Sequence, residues 1–308
     1  MELCIYPKRT TSWKDFTQEM QMPHSIALDG YVPEGPRLNL QGPWANFNHH
    51  EEVSRLETRA TCAQVLIALR MGLMQVFDPS HVSIHVNDCD EDVCLSVYLL
   101  RNYAQTGLHE NYRLNRLVFM EDMLDTTGGA YTFPGDPMSL KQLLWVFEPY
   151  HVFRARGQLY TGRGFRNVID FVGRRIQAHI DGDESYIEPD MDFEVVDRVN
   201  DLIMIREIGA NARLGVYRSG VQYFISVREL RDGRFAYSLA RSSQFVPFPI
   251  PKLLKVLNAC ELGVRISSNI RVDGSTGGWG GSDMIAGSPR DGSVLSPVSV
   301  MNILSTSR

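Results

Sequence analysis

No stretch of the 308-residue chain carries the run of about 18 apolar residues that a membrane span needs, and residues 1–16 lack the unbroken apolar core of a secretory leader. These absences predict a cytoplasmic protein with no membrane partner. Cysteine is sparse as well. The five thiols, Cys4, Cys62, Cys89, Cys94 and Cys260, are odd in number, scattered and without C-x-x-C spacing, which excludes a disulfide framework and a structural zinc site. Cys89, between Asp88 and Asp90, reads as a spacer rather than a soft ligand among hard ones. Positive charge is short too: 31 Lys and Arg against 36 Asp and Glu give a net charge of −5. That argues against coating long duplex nucleic acid by phosphate neutralisation. A small phosphorylated or short nucleic-acid ligand stays open where a metal ion reverses the local sign. No internal repeat stands out.

Apolar residues make up 44% of the chain, with 14 Phe, 12 Tyr and 4 Trp, enough to build a core. The length points to two domains, divided at the acidic, turn-rich segment Asp181–Asp190 into residues 1–185 and 191–308. In the first, Ser25–Leu28 is a short apolar strand ending at Asp29-Gly30 and a Pro/Gly loop. A helical period runs from Leu56 to Val76, an alternating β-branched strand covers 81–86, and a helix with acids in its first turn covers 91–103. Strand, polar loop and helix in succession predict an α/β domain with a largely parallel sheet, whose ligands sit at the C-terminal strand ends. Residues 115–125 read as a further helix and 140–180 as mostly helical, with breaks at Pro149 and Gly157. The second domain reads as smaller and α+β: strands near 201–208, 215–217, 222–228 and 235–240, a hairpin turn at Arg231–Arg234, and helices at 251–260 and 298–304.

Four polar stations fall at or just after apolar strands or on one helix face: Asp29, His49-His50, Asp88/Asp90 and Asp122/Asp125. Carboxylates with imidazole suit a hard-to-borderline divalent ion such as Mn²⁺ or Mg²⁺, and a shared aspartate holds two such ions roughly 3.5–4 Å apart. Each station also has an ordinary reading. Asp88 and Asp90 can cap a helix, a His-His pair can sit in a polar turn, and the glycine cluster Gly277–Gly281 can be a plain loop.

Taken together, Phe47-Asn48-His49-His50, His85-Val-Asn-Asp88-Cys-Asp90, the lone Asp29 and Asp125-Thr126 resemble the motifs of the DHH phosphoesterase superfamily, and residues 240–243 with Gly277–Gly287 are similar to its associated substrate domain. Asn48 stands in the place of the motif's aspartate, and His-His precedes Asp-x-Asp along the chain. The resemblance implies a two-ion metal site on Asp29, His49, Asp88, Asp90 and Asp125, with His85 and Asp122 as further candidates. It implies His50 and Asp88 in the catalytic step, and Arg241, Ser242, Gly278, Gly280 and Gly281 as donors to substrate phosphate. The expected activity is divalent-metal hydrolysis of a short oligonucleotide, cyclic dinucleotide or nucleotide phosphoester. The alternative is an inactive nucleotide sensor or partner-binding protein of the same fold. A homodimer is an open expectation.

Overall fold

The computed structural model of the chain describes residues 1–18, 22–105, 107, 110–131, 137–159, 161–270 and 278–307. Among them the protein is a mixed α/β structure of eleven strands and ten helices in two compact units, Met1–Thr126 with Phe133–Glu188, and Thr127–Thr132 with Pro189–Arg308. No helix among the described residues is long and apolar enough to cross a membrane.

The first unit is built on a five-stranded sheet of order β1-β5-β2-β4-β3. Strands β1 (Glu2–Ile5), β5 (Ser83–Val86), β2 (Ser25–Leu28) and β4 (Trp44–Phe47) run parallel, and β3 (Arg37–Asn39) closes one edge antiparallel to β4. β2 and β5 are buried at every position, as expected of central parallel strands covered on both faces. The helices are α1 (Trp13–Gln18), α2 (Thr61–Arg70), α3 (Leu73–Val76), α4 (Glu91–Arg101), α5 (Tyr112–Thr126), α6 (Pro137–Ala155) and α7 (Gly162–Ile180). α7 buries Phe165, Val168, Ile169, Val172 and Ile176 along one stripe, and Thr161 caps it by accepting from Gly164 N. α4 is buried from Asp92 to Leu100, so it is an interior helix.

The second unit carries a six-stranded sheet of order β10-β11-β9-β8-β7-β6. β6 (Phe193–Val199), β7 (Leu202–Glu207), β8 (Tyr223–Glu229), β9 (Phe235–Arg241), β10 (Gly280–Gly281) and β11 (Ile285–Gly287) pair antiparallel except for β7 with β8. Alternate residues of β7 feed two cores. Leu202 and Met204 pack with α9 (Ile250–Ser267) and α10 (Pro297–Thr306), while Ile203 and Ile205 pack with Val216 and Tyr217 of α8 (Ala212–Arg218).

Three sequence expectations are corrected. Residues 215–217 are helical, not a strand: Ala212 and Val216, four apart, bury one face of α8. Pro149 does not break α6, because the Trp145 carbonyl four residues earlier, which proline cannot serve, accepts instead from Arg175 Nη1. The helix expected from Leu56 begins only at Thr61, where distant carboxylates hold its first amides.

Candidate metal centre

The C-terminal ends of β2, β4 and β5 lie side by side, and each delivers polar residues. After β2, Asp29 and Gly30 both take left-handed backbone (φ 49° and 80°), which turns the chain at once. The Asp29 carboxylate is 5% exposed and accepts from Thr61 Oγ1 at 3.1 Å. After β4, Asn48 shapes the His-His turn: its Oδ1 accepts from His50 N at 3.1 Å, and its Nδ2 donates to Glu34 O at 2.9 Å and Glu51 Oε2 at 3.0 Å.

His49 is fully buried and neither ring nitrogen has a hydrogen-bond partner. Carboxylate oxygens nevertheless crowd its Nε2: Asp125 Oδ2 at 2.8 Å, Asp29 Oδ1 at 3.5 Å and Asp92 Oδ2 at 3.6 Å. These contacts are short but not aligned as hydrogen bonds. His50 Nε2 is 2.9 Å from Asp29 Oδ1, and its other nitrogen, Nδ1, is 2.5 Å from Arg55 Nη2. Two groups with ligand atoms within 4.8 Å of one another result, Asp29-His49-His50 and His49-Asp92-Asp125.

The charge in this pocket is unbalanced. Burial first, then Asp29 and Asp125, push Asp92 up to about 7. Burial and Asp29 hold Asp90 well above the carboxylate range, and burial with Glu91, Asp125 and Asp92 does the same to Glu121. Burial opposes charge on His50, but Asp29 outweighs it and lifts the imidazole to about 9, with Arg55 working against the shift. Arg55 Nη2 beside Nδ1 sets a donor against a donor once the ring is protonated, which is how Arg55 opposes the shift, while Nε2–H faces Asp29. Asp29 is drawn down to about 2: burial opposes its charge, and His50, His49 and the Thr61 hydroxyl overcome that. Burial likewise opposes charge on His49, and Asp125, Asp29 and Asp92 raise it.

Of the residues expected at the centre, Asp29, His49, His50 and Asp125 come together. Asp90 stays beside them electrostatically, yet its carboxylate caps α4 by accepting from Val93 N at 3.0 Å. The others are engaged elsewhere. Asp88 pairs with Lys8 Nζ and accepts from Cys89 N. Asp122 spends both oxygens on Ala60 N (2.8 Å) and Arg59 Nη1 (2.6 Å). His85 lies in an aromatic cage of Tyr6, Tyr31 and Phe16, with burial lowering its pKa to about 4.

Asp92 and Glu121 were not foreseen. Asp92 is a first-turn acid of α4, as expected, but its buried carboxylate accepts from Thr61 N and Cys62 N, tying the start of α2 to the centre. A usable signal exists in both cases, since each acid sits among apolar residues of a buried helix face: Val93-Cys94-Leu95 after Asp92, and Leu117, Val118 and Met120 before Glu121.

In the second unit Arg241 is 7% exposed and engaged throughout: Nε to Asp283 O at 2.7 Å, Nη1 to Gln244 O at 3.1 Å and Val246 O at 3.3 Å, Nη2 to Asp283 Oδ2 at 3.4 Å. It braces two loops and is not free for phosphate. The Ser242 amide donates to Gln222 O. Gly277 lies outside the described residues. A Cβ on Gly278 would come 2.3 Å from Asn258 Oδ1, and Gly281 (φ 143°) would meet Ala286 Cα at 2.5 Å, so close packing demands both glycines; Gly280 has open space. Trp279 between them stacks on Tyr237 at 5.5 Å, the mark of a packed turn.

No family model matches the chain, and no curated protein matches its sequence.

Proposed function

We propose that the first unit is a divalent-cation-dependent phosphoester hydrolase of the DHH type, acting in the cytoplasm on a small phosphorylated substrate such as a short oligonucleotide or cyclic dinucleotide. The observation that carries this reading is His49: a buried imidazole without a hydrogen bond, facing three carboxylates within 3.6 Å. An orphaned buried ring among acids is costly in a finished core, and a cation relieves both faults at once. His49, Asp92 and Asp125 would hold one Mn²⁺ or Mg²⁺ ion, with Asp29 in the position to share a second toward His50.

Such ions supply Lewis-acid charge and lower the pKa of water. The chain supplies the rest. The His50 side chain is 32% exposed, and its Nε2 meets Asp29 while its Nδ1 meets Arg55. This pair faces an incoming phosphoryl group and can neutralise its developing charge or move a proton at Nε2. Arg55 is held in turn by donating to Asp125 O at 3.0 Å.

The sensor reading has one observation in its favour: Arg241, the expected phosphate donor of the second unit, is consumed by backbone and Asp283 contacts. Calorimetric titration of Mn²⁺ beside hydrolysis of bis(p-nitrophenyl) phosphate separates the readings. We expect micromolar binding and cation-dependent turnover, both lost in His49→Ala with near-ultraviolet circular dichroism unchanged. Binding without turnover supports the sensor, and binding that survives His49→Ala overturns the centre.

A further inference from the structure

The α6–α7 pair carries charge of the opposite sign to the rest of the protein. Between residues 137 and 180 stand seven Lys and Arg against two Asp and Glu, a local net of +5 in a chain of −5. Three of the seven are engaged: Lys141 pairs with Glu188, Arg175 with Glu148, and Arg154 donates to Tyr150 OH. The other four are exposed, Arg156 at the exit of α6 and the rest on α7. Because α7 buries Phe165, Val168, Ile169, Val172 and Ile176, its opposite side faces outward, and Arg163, Arg166, Asp170, Phe171 and Arg174 follow one another along it. The Arg156 and Arg163 guanidinium groups meet no partner among the described residues. Arg166 spends only Nη2, on Leu3 O at 3.2 Å, and Arg174 lies 4.4 Å from the centroid of the Phe171 ring. Asp170, the one acid on this face, is answered by Arg101 Nη1 at 3.5 Å.

A plain solvated helix face mixes both signs and leaves large aromatics inside. This one has an excess of guanidinium and a Phe171 side that is 45% exposed, its ring tilted against Phe153 at 6.0 Å. A guanidinium held flat on a ring is a cationic plate on which a nucleobase stacks, and the unpaired arginines beside it suit phosphates. An anionic membrane would meet a single apolar side chain here, and an acidic peptide brings charge without a ladder of flat rings. We propose that the outward face of α7, with Arg156, binds a short single-stranded oligonucleotide, with phosphates on Arg156, Arg163 and Arg166 and a base on the Arg174–Phe171 stack. Arg163 and Arg174 are about 16 Å apart along the helix, the length of about five stacked nucleotides. As substrate, which rests on the phosphoesterase reading, such a strand would start beside the metal centre. A Cβ on Gly162 would lie 3.8 Å from Ile5 Cγ2 at the C-terminal end of β1, the parallel neighbour of β5. Lys8, over the Phe165 ring, pairs with Asp88 just after β5. The substrate class is thereby narrowed to a linear oligonucleotide, since a cyclic dinucleotide would leave this face unused.

The test is fluorescence anisotropy of labelled pentauridylate with the full chain in chelator, which keeps the strand intact and takes the cation out of the measurement. Saturable binding is expected at low salt, with log Kd rising against log salt at a slope of about 2 for three phosphate contacts. The double variant Arg156→Gln with Arg163→Gln should weaken binding about tenfold or more and lower that slope by about 1.4. Phe171→Ala should weaken binding about fivefold or more and leave the slope unchanged, because stacking releases no counterions. All three side chains are exposed, so the variants keep the fold, and His49→Ala should bind as the parent does. A parent that binds the strand but hydrolyses nothing with Mn²⁺ retains this surface and removes the phosphoesterase reading. One that cleaves bis(p-nitrophenyl) phosphate but does not bind the strand retains that reading and overturns the surface. An unchanged slope in the arginine variant or unchanged affinity in Phe171→Ala also overturns it, as does capture by phosphatidylserine vesicles without binding of pentauridylate.

Discussion

Each unit of the molecule buries a cluster of acidic side chains, and the two clusters are finished to different degrees. In the second unit Glu261 accepts from Arg265 Nε at 2.8 Å, Val294 N at 3.0 Å, Ser293 Oγ at 2.5 Å and Trp279 Nε1 at 3.2 Å. Asp291 accepts from Arg265 at 2.9 and 3.1 Å and from Arg234 at 2.6 Å. Two carboxylates meet two guanidinium groups, and every acidic oxygen has a donor. In the first unit Asp29, Asp90, Asp92, Glu121 and Asp125 share two histidines and Arg55, and the most buried of those bases has no hydrogen bond at all. A buried acid cluster that has its cations is architecture, and one that lacks them has the composition of a cation site.

Breaking the finished cluster should give the largest effect. Arg265→Met strands Glu261, which is 4% exposed, without its countercharge, and should cost the second unit about 3–5 kcal/mol in urea unfolding. The double variant Glu261→Gln with Arg265→Met should recover much of that loss, because the penalty belongs to the unpaired charge. A loss below 1 kcal/mol in the single variant would show that this cluster too is loosely coupled.

The unfinished cluster should respond to pH instead. Asp92 at about 7 lies above the ~3.9 of a free aspartate. The folded chain therefore holds an extra proton, and the stability from it is whole below about pH 4 and gone once pH passes 7. His50 at about 9 acts with the same sign between its free value of about 6.5 and 9. Asp29 at about 2 acts oppositely, and its contribution fades only as pH falls from about 4 through 2. Thermal denaturation of chelator-treated protein should thus show Tm falling from pH 5 to pH 9, and Mn²⁺ should flatten the slope by replacing the protons. A Tm that rises over this range without metal contradicts the charge imbalance.

What could be read from the sequence divides along the same line. Strand ends were legible, because an apolar run followed by Asp29-Gly30 or Asn48-His49-His50 marks both a strand and its polar terminus, and three of the four parallel strands deliver their residues there. The short β1, β3 and edge strand β6 carry no alternation strong enough to stand out from the loops around them. Carboxylate roles were not legible from spacing. Asp88, Asp90, Asp92 and Asp122 look equivalent as acids near helix ends, yet Lys8 takes the first, α4 the second, and the start of α2 the last two, with only Asp92 also reaching His49. For Asp88, Asp92 and Asp122, which acid has spare capacity depends on partners 31 to 80 residues away.

Restoring aspartate at position 48, where the resembling motif carries it, sharpens the contrast at smaller cost. The Asn48 amide donates to Glu34 O and Glu51 Oε2. Asn48→Asp removes both donors and sets a carboxylate against Glu51, so it should destabilise the first unit by about 1–3 kcal/mol. Mn²⁺ affinity should change little, since Asn48 only shapes the His49-His50 turn. A stabilising Asn48→Asp would mean that this turn, too, waits for a cation.

The smallest effect should come from Asp125→Asn in chelator-treated protein. Asp125 is 27% exposed and lies against His49 Nε2, Asp92 and Glu121. Neutralising it removes repulsion from Asp90, Asp92 and Glu121 and attraction to His49, His50 and Arg55, and the side-chain volume is kept. These opposed terms should leave stability within about 1 kcal/mol of the parent, the range of most substitutions that create neither a cavity nor a stranded charge. Urea unfolding without metal reads this directly. Repeating it with saturating Mn²⁺ should separate the two proteins, because ligand binding to the native state alone stabilises it by mass action, and the variant has lost a ligand. Equal stabilisation of parent and variant by Mn²⁺ would place the cation away from Asp125 and remove the distinction between the two acidic clusters.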